Sequence, residues 1–293
     1  NVKTTYYSLF FVDKSLETID KNTRALEEFV KIAETKYSVG KGLQQDVLRA
    51  QVELSKMEDK RINLEQKRES LESRLNALLN RPVDQELGNI DTLRFIPLPY
   101  DYAQLTELTE QRRPLLQAWE AMIRQSDKKV NLAKKEYLPD FSVGLAYSQR
   151  DALQNGGRGV DFFSGMFSVK VPLYFWRKQR KQVEENRYQR ISVQEKYNQI
   201  RNQIYSDLED TFTDVQKNKR LVELFQTGII PQAMQSLNSA IAGYQTDKVD
   251  FLTLLNNQIN LFNFQLDYYR ILTDYNKNIA QLEAIVGEQL IER

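Results

Sequence analysis

The chain has 293 residues, 41 Lys+Arg against 40 Asp+Glu for a net charge of +1, and neither His nor Cys. The missing Cys excludes disulfide frameworks, thiolate nucleophiles and zinc ribbons, and the missing His removes the usual neutral-pH general base and the commonest metal ligand. Charge balance argues against a generic nucleic-acid binder, 41% hydrophobic residues exclude disorder, and only 11 Gly and 7 Pro point to long uninterrupted elements.

Helical spacing is already running at Val2, Tyr6, Leu9 and Phe10, with no charged-then-apolar leader before it, so the chain reads as a piece of something longer. No stretch carries the ~18 apolar residues of a membrane helix. Residues 2–38 read as helix, with Leu9, Val12, Leu16, Ile19, Leu26, Val30 and Ala33 on one face. Ser38-Val39-Gly40-Lys41-Gly42 reads as a tight reversal. Leu43, Val47, Ala50, Leu54, Met57, Arg61, Leu64, Arg68, Leu71, Leu75 and Leu78 then alternate steps of four and three, a heptad seam broken only by its two arginines. Asn80-Arg81-Pro82 ends it, and 82–100 is irregular. A shorter helix follows, restarted at Arg113-Pro114.

The period then changes to two. Phe141, Val143, Leu145 and Tyr147 alternate with small or polar residues, as do Phe163, Phe167, Val169 and Leu173 after a loop at Asn155-Gly156-Gly157-Arg158-Gly159. Two strands of about ten residues each have the length of tilted transmembrane β-strands. An ordinary half-buried hairpin would alternate in the same way. The flanks favour the membrane: Lys134 and Lys135 precede the first strand, and Tyr174, Phe175, Trp176, Arg177 and Lys178 follow the second, so aromatics and cations collect at one end. Helix resumes over 177–244, interrupted at Gly228 and Pro231, and again over 251–286.

A gap-free shift of 207 residues lays Ala33 on Ala240, Tyr37 on Tyr244, Lys41 on Lys248, Leu48 on Leu255, Gln51 on Gln258, Leu54 on Leu261, Leu75 on Leu282 and Ala77 on Ala284. The heptad seam carries over, with Arg61 and Arg68 becoming Tyr268 and Tyr275. The fold is therefore expected to be built twice from one helical hairpin. The arginines and tyrosines of the seam are expected to make interhelix contacts.

Tyr37-Ser38-Val39-Gly40 before Asp46-Val47-Leu48-Arg49-Ala50-Gln51, and Tyr244-Gln245-Thr246-Asp247 before Thr253-Leu254-Leu255-Asn256-Asn257-Gln258, resemble the paired turns of the TolC-like outer-membrane efflux protein family. Arg113-Pro114-Leu115, Tyr137-Leu138-Pro139 and Val171-Pro172-Leu173-Tyr174 are similar to it in the same order. The resemblance covers nearly the whole chain and implies a fragment lacking the N-terminal part, whose first strand pair would lie upstream.

The implied fold is mainly α: long antiparallel coiled-coil helical hairpins, duplicated, with a transmembrane β-hairpin contributing to a trimeric β-barrel. Residues 1–81 would be the first hairpin of a periplasmic tunnel, 82–137 a linker and shorter helix, 138–175 the transmembrane β-hairpin, and 176–293 the second helical hairpin. The implied function is a passive exit duct of a tripartite efflux or type I secretion system, in the outer membrane of a Gram-negative bacterium. Its implied partners are two further copies, a periplasmic adaptor, an inner-membrane pump and outer-membrane lipid, with no cofactor, nucleic acid or catalysis.

By the same resemblance, Val39, Gly40, Lys41, Thr246, Asp247 and Lys248 would be adaptor-docking turns, and Tyr37, Asp46 and Tyr244 gate residues. Phe141, Val143, Leu145, Tyr147, Phe163, Phe167, Val169 and Leu173 would face lipid, and Lys134, Lys135, Tyr174, Trp176, Arg177 and Lys178 would form the interface belt. Asp247 stands where the family usually has Gly, so the second turn is expected to be shaped differently. Thr253 and Asn256 replace carboxylates that some relatives carry, so an acidic ring is not expected, and Asp250 is expected to cap a helix. Two rivals explain part of the pattern: a soluble coiled-coil scaffold or tether accounts for helices and repeat, and a pore-forming toxin for helices with a β-tongue.

Overall fold

A computed structural model describes residues 1–88, 90, 93–150, 159–174 and 176–291. The elements in chain order are α1 (Val2–Ser38), α2 (Gln44–Leu78), α3 (Tyr102–Arg112), α4 (Pro114–Lys135), β1 (Asp140–Ser148), β2 (Phe162–Lys170), α5 (Lys178–Leu224), a π-helical turn (Phe225–Ile229), α6 (Ile230–Gln245) and α7 (Phe251–Val286). Their contacts separate into one unit of Asn1–Arg112 with Tyr205–Arg293, and another of Arg113–Ile204.

In the first unit α1 packs along both α2 and α7, and α6 along α7. One cluster joins Ile19, Leu26, Phe29 and Ala33 of α1, Ala50 and Met57 of α2, Leu237, Ala240 and Tyr244 of α6, and Phe251, Leu254, Leu261 and Phe262 of α7, while the seam residues Leu71 and Leu75 pack in another with Leu9 and Val12. Each large side chain buried there contributes about 1.5–3 kcal/mol. Asn22, also buried, donates to Met57 Sδ at 3.1 Å and accepts from Gln258 Nε2 at 2.7 Å, so one polar group in the core joins α1, α2 and α7.

The seam arginines make the expected interhelix contacts. Arg61 Nη2 lies 2.6 Å from Asp20 Oδ1, and Arg68 Nε 2.7 Å from Asp13 Oδ1. The two rungs are one heptad apart on both helices. All four side chains are part exposed, so each rung is worth about 0.2–1 kcal/mol and its main effect is to fix the α1–α2 register.

The corresponding tyrosine does a different job in the second hairpin. Tyr275 is fully buried; its hydroxyl donates to Ile96 O at 2.8 Å and accepts from Leu98 N at 3.0 Å, and its ring lies 5.0 Å from that of Phe95. It therefore docks the segment before α3 onto α7. Tyr275→Phe should lower unfolding stability by about 1–3 kcal/mol, because two backbone groups lose their partner. Urea unfolding would measure this, and faster proteolysis near 95–98 would localise it.

The helix expected over 177–244 is two helices with a π-helical turn between them. Pro231 has no N–H to return to the carbonyl of Thr227 and its ring crowds that carbonyl, so the chain widens by one residue just before it.

In the second unit α4 begins with Pro114 at its first turn, and Arg190 Nε of α5 reaches Asp127 Oδ1 of α4 at 3.0 Å. β1 and β2 pair antiparallel from Asp140↔Lys170 to Ser148↔Phe162. The loop expected at Asn155–Arg158 and the aromatic Phe175 lie outside the described residues.

Candidate functional site: twin turns and an exposed strand hairpin

The two turns of the first unit are built alike. In the α1–α2 turn Lys41 N donates to Lys36 O at 2.8 Å and Gly40 N to Tyr37 O at 3.0 Å, with Gly40 at φ +75°. In the α6–α7 turn Lys248 N donates to Gly243 O at 2.8 Å and Asp247 N to Tyr244 O at 3.3 Å, with Asp247 at φ +56°. Every donor and acceptor is displaced by the repeat of the sequence. The expected difference in shape is therefore corrected: Asp247 takes up the left-handed conformation that Gly40 adopts freely. The remaining positive-φ residues among those described, Asn80 and Gly287, end α2 and α7 and are related by the same shift.

Each turn also brings two residues into close approach, and each has one glycine to permit it. A Cβ on Gly42 would stand 3.0 Å from Lys36 Cβ; a Cβ on Gly243 would stand 2.5 Å from Val249 Cγ2. Gly42 corresponds to Val249 and Lys36 to Gly243, so the glycine has changed sides between the copies.

This exchange frees position 36 to carry a long side chain, and Lys36 ties the two turns together. Its Nζ lies 2.5 Å from Asp247 Oδ1, 2.7 Å from Tyr244 O and 4.1 Å from the centre of the Tyr244 ring. The cation meets a carbonyl in the last turn, at the negative end of α6, which also accepts from Asp247 N. The hydrogen bond and charge of Lys36 hold the Asp247 carboxyl below its ordinary value. Burial, then the charges of Asp46 and Asp247, push the Tyr244 hydroxyl upward. Tyr244 is buried with its ring 5.6 Å from Phe251, whereas its counterpart Tyr37 is half exposed. Of the three expected gate residues, Asp46 is close enough to Tyr244 for its charge to act on the hydroxyl, and Tyr37 is half exposed. Lys36 was not singled out from the sequence; its signal was the lysine set against Gly243 in the repeat.

Val39 and Lys41 are exposed, as are Thr246 and Lys248. Beside the turns a groove runs between α2 and α7, lined by Leu48, Arg49, Val52, Leu252, Asn256 and Ile259. Asp250 caps α7, its Oδ1 accepting from Thr253 N at 2.6 Å.

In the second unit the register puts Phe141, Val143, Leu145 and Tyr147 on the same face as Val169, Phe167 and Phe163, with Gly165 opposite Leu145. These side chains are 45–75% exposed, and Phe141 and Phe167 stack at 6.3 Å. The other face carries Ser142, Ser148, Ser164, Ser168 and Lys170, but also Met166 and Phe162, which the alternation had not assigned. Leu173 lies past the end of β2. At the root of the hairpin Lys134 and Lys135 close α4, Tyr174 and Trp176 meet edge to face at 6.0 Å, and Arg177 precedes Lys178, which opens α5.

Among the described residues no cluster of three or more acidic side chains could hold a metal ion, and no helix is long and apolar enough to cross a membrane.

The family model for outer membrane efflux proteins matches residues 105–288. The cobalt-zinc-cadmium resistance protein CzcC of Cupriavidus metallidurans is 22% identical over 200 residues, 68% of this chain and 45% of the relative; the chain thus spans about half the length of that protein. The outer membrane protein VceC of Vibrio cholerae superposes with a TM-score of 0.80 at 18% identity, over 99% of this chain and 69% of VceC. CusC, whose crystal structures concern folding and transmembrane channel formation, superposes at 0.82 with 14% identity, over 97% of this chain and 67% of its own. At these identities the structural likeness establishes the fold.

Proposed function

Because the chain belongs to the outer membrane efflux protein family, we propose that it is part of a passive exit duct, through which solutes leave the periplasm across the outer membrane. Membership carries the location, an outer membrane, and a role in efflux rather than catalysis. Everything finer is our reading.

Three protomers would close one barrel, each giving the β1–β2 pair and a second pair from elsewhere in the protein. An open sheet edge cannot stand in hydrocarbon, so closure requires other copies. The apolar face led by Phe141, Val143 and Phe167 would meet lipid and the serine face would line a wet bore. The observation that carries the reading is this nine-residue antiparallel pair, one face of which is apolar and exposed throughout. The helical hairpins would form the periplasmic tunnel. A periplasmic adaptor would dock at Val39, Gly40, Lys41, Thr246, Asp247 and Lys248 and along the neighbouring groove, linking the duct to an inner-membrane pump of a tripartite efflux or type I secretion system. Asp46, Tyr244 and Tyr37 would belong to the gate at that end.

The full-length protein should need detergent and migrate as a trimer; a soluble monomer without detergent overturns the proposal. Gly40→Val tests the turns. A Cβ there meets nothing within 4 Å, so the variant strains only a left-handed backbone position, by about 1–2 kcal/mol. Export in cells should fall several-fold while trimer yield is unchanged. Unchanged export would remove the docking assignment.

A further inference from the structure

The root of the strand hairpin carries more positive charge than its helices can use. Lys134 and Lys135 end α4, where cations suit the helix dipole. Lys178, Arg180 and Lys181 open α5, where they oppose it, and no acidic residue stands in that first turn. Glu184 answers two of them, lying 3.3 Å from Arg180 Nε and 3.0 Å from Lys181 Nζ. Gln182 Nε2 donates to Glu136 Oε1 at 3.0 Å, which draws the end of α4 to the start of α5; of the other carboxylates at the root, Asp140 stands opposite Lys170 in the strand pair and Glu185 accepts from Gln189. Among the described residues no carboxylate pairs with Lys134, Lys135, Arg177 or Lys178, and all four are exposed.

What separates these cations from the apolar strand face is as informative. Leu138 precedes β1, and Leu173, Tyr174 and Trp176 follow β2, each more than half exposed. Apolar side chains, then amphipathic aromatics, then cations follow the order of a lipid monolayer from acyl chain through interface to phosphate. A free phosphate would satisfy the cations but leave the apolar step without a partner.

We propose that Lys134, Lys135, Arg177 and Lys178 form a docking surface for anionic phospholipid headgroups in the leaflet facing the periplasm. The phosphodiester lies between the end of α4 and the start of α5, and its acyl chains lie along Leu138 and Leu173. The inference rests on the outer-membrane reading and adds to it a preference for anionic over zwitterionic lipid.

The test uses the full-length protein reconstituted into vesicles of phosphatidylethanolamine with a minority of phosphatidylglycerol. After re-extraction in mild detergent, the lipids retained by the protein are counted by mass spectrometry. Phosphatidylglycerol should be enriched over its share of the vesicle. The double variant Arg177→Gln/Lys178→Gln should lose roughly tenfold in that enrichment. Arg180→Gln, whose cation already has Glu184, should keep it. Enrichment that survives the double variant, or that inorganic phosphate abolishes as effectively as lipid does, overturns the proposal. Flotation with the vesicles separates the two levels: protein that floats without enriching phosphatidylglycerol sinks this inference alone, and protein that does not float sinks the duct reading with it.

Discussion

Lys36→Met should make the duct leak. The substitution keeps the length of the stem and removes two charge-assisted hydrogen bonds, to Asp247 Oδ1 and Tyr244 O, that tie the α1–α2 turn to the α6–α7 turn. Lys36 is 19% exposed at its side chain and Asp247 64%, so solvent weakens each single tie. In the proposed trimer three copies would lose it together and their effects multiply, which should raise an open fraction by roughly tenfold or more. Single-channel conductance, or uptake of a normally excluded bulky solute, would read this. Asp247→Gly sharpens the test. Glycine accepts φ +56° without strain, so the variant should leak while its thermal stability is unchanged or higher. A tight duct in both variants would remove Lys36 and Asp247 from the gate. The tie also predicts a pH response. Asp247 is held below its ordinary value near ~3.9, so the tie is complete above that pH and is lost as the pH falls through the lowered value. Wild-type conductance should stay flat from neutral pH down to that region and rise only in stronger acid.

Gly243→Ala should have the largest effect on folding of any single methyl group added to the turns. Its Cβ would lie 2.5 Å from Val249 Cγ2 and 3.2 Å from Val249 Cβ. A β-branched side chain has little freedom to turn aside, so the α6–α7 reversal must open, at about 1–3 kcal/mol. Val249→Gly should restore most of the loss, because the pair would then match the arrangement at Lys36 and Gly42. Denaturant midpoints of the two single variants and the double variant form the cycle. Independent, additive effects would show that the close approach is not what constrains the pair.

The helices were legible in the sequence because their burial is periodic. The seam from Leu43 to Leu78 and its copy from Leu254 to Ile285 announce both hairpins, and the change to alternation at Phe141 announces the strands. Asp250 was legible as a cap because capping is local. What stayed hidden depends on contacts between distant segments. Tyr275 looked like a seam residue until Ile96 and Leu98 were seen to share its hydroxyl. Asp247 looked like a departure from a glycine rule, and only the partner 211 residues away in the chain explains why a carboxylate occupies a left-handed position. The π-helical turn was flagged by Gly228 and Pro231, but nothing in their spacing distinguishes a widened turn from a kink or a restart.

The left-handed residues also work as length marks. Gly40 and Asn80 stand as far apart as Asp247 and Gly287, with no residue gained or lost between them in either copy. Removing one residue from α2 would turn everything beyond it by about 100° and swing the seam off its partner. Excising a whole heptad would restore the facing but shorten the arm by about 10 Å. Engineering a shorter or longer form of the proposed tunnel therefore calls for whole heptads, taken from each arm of both hairpins at once.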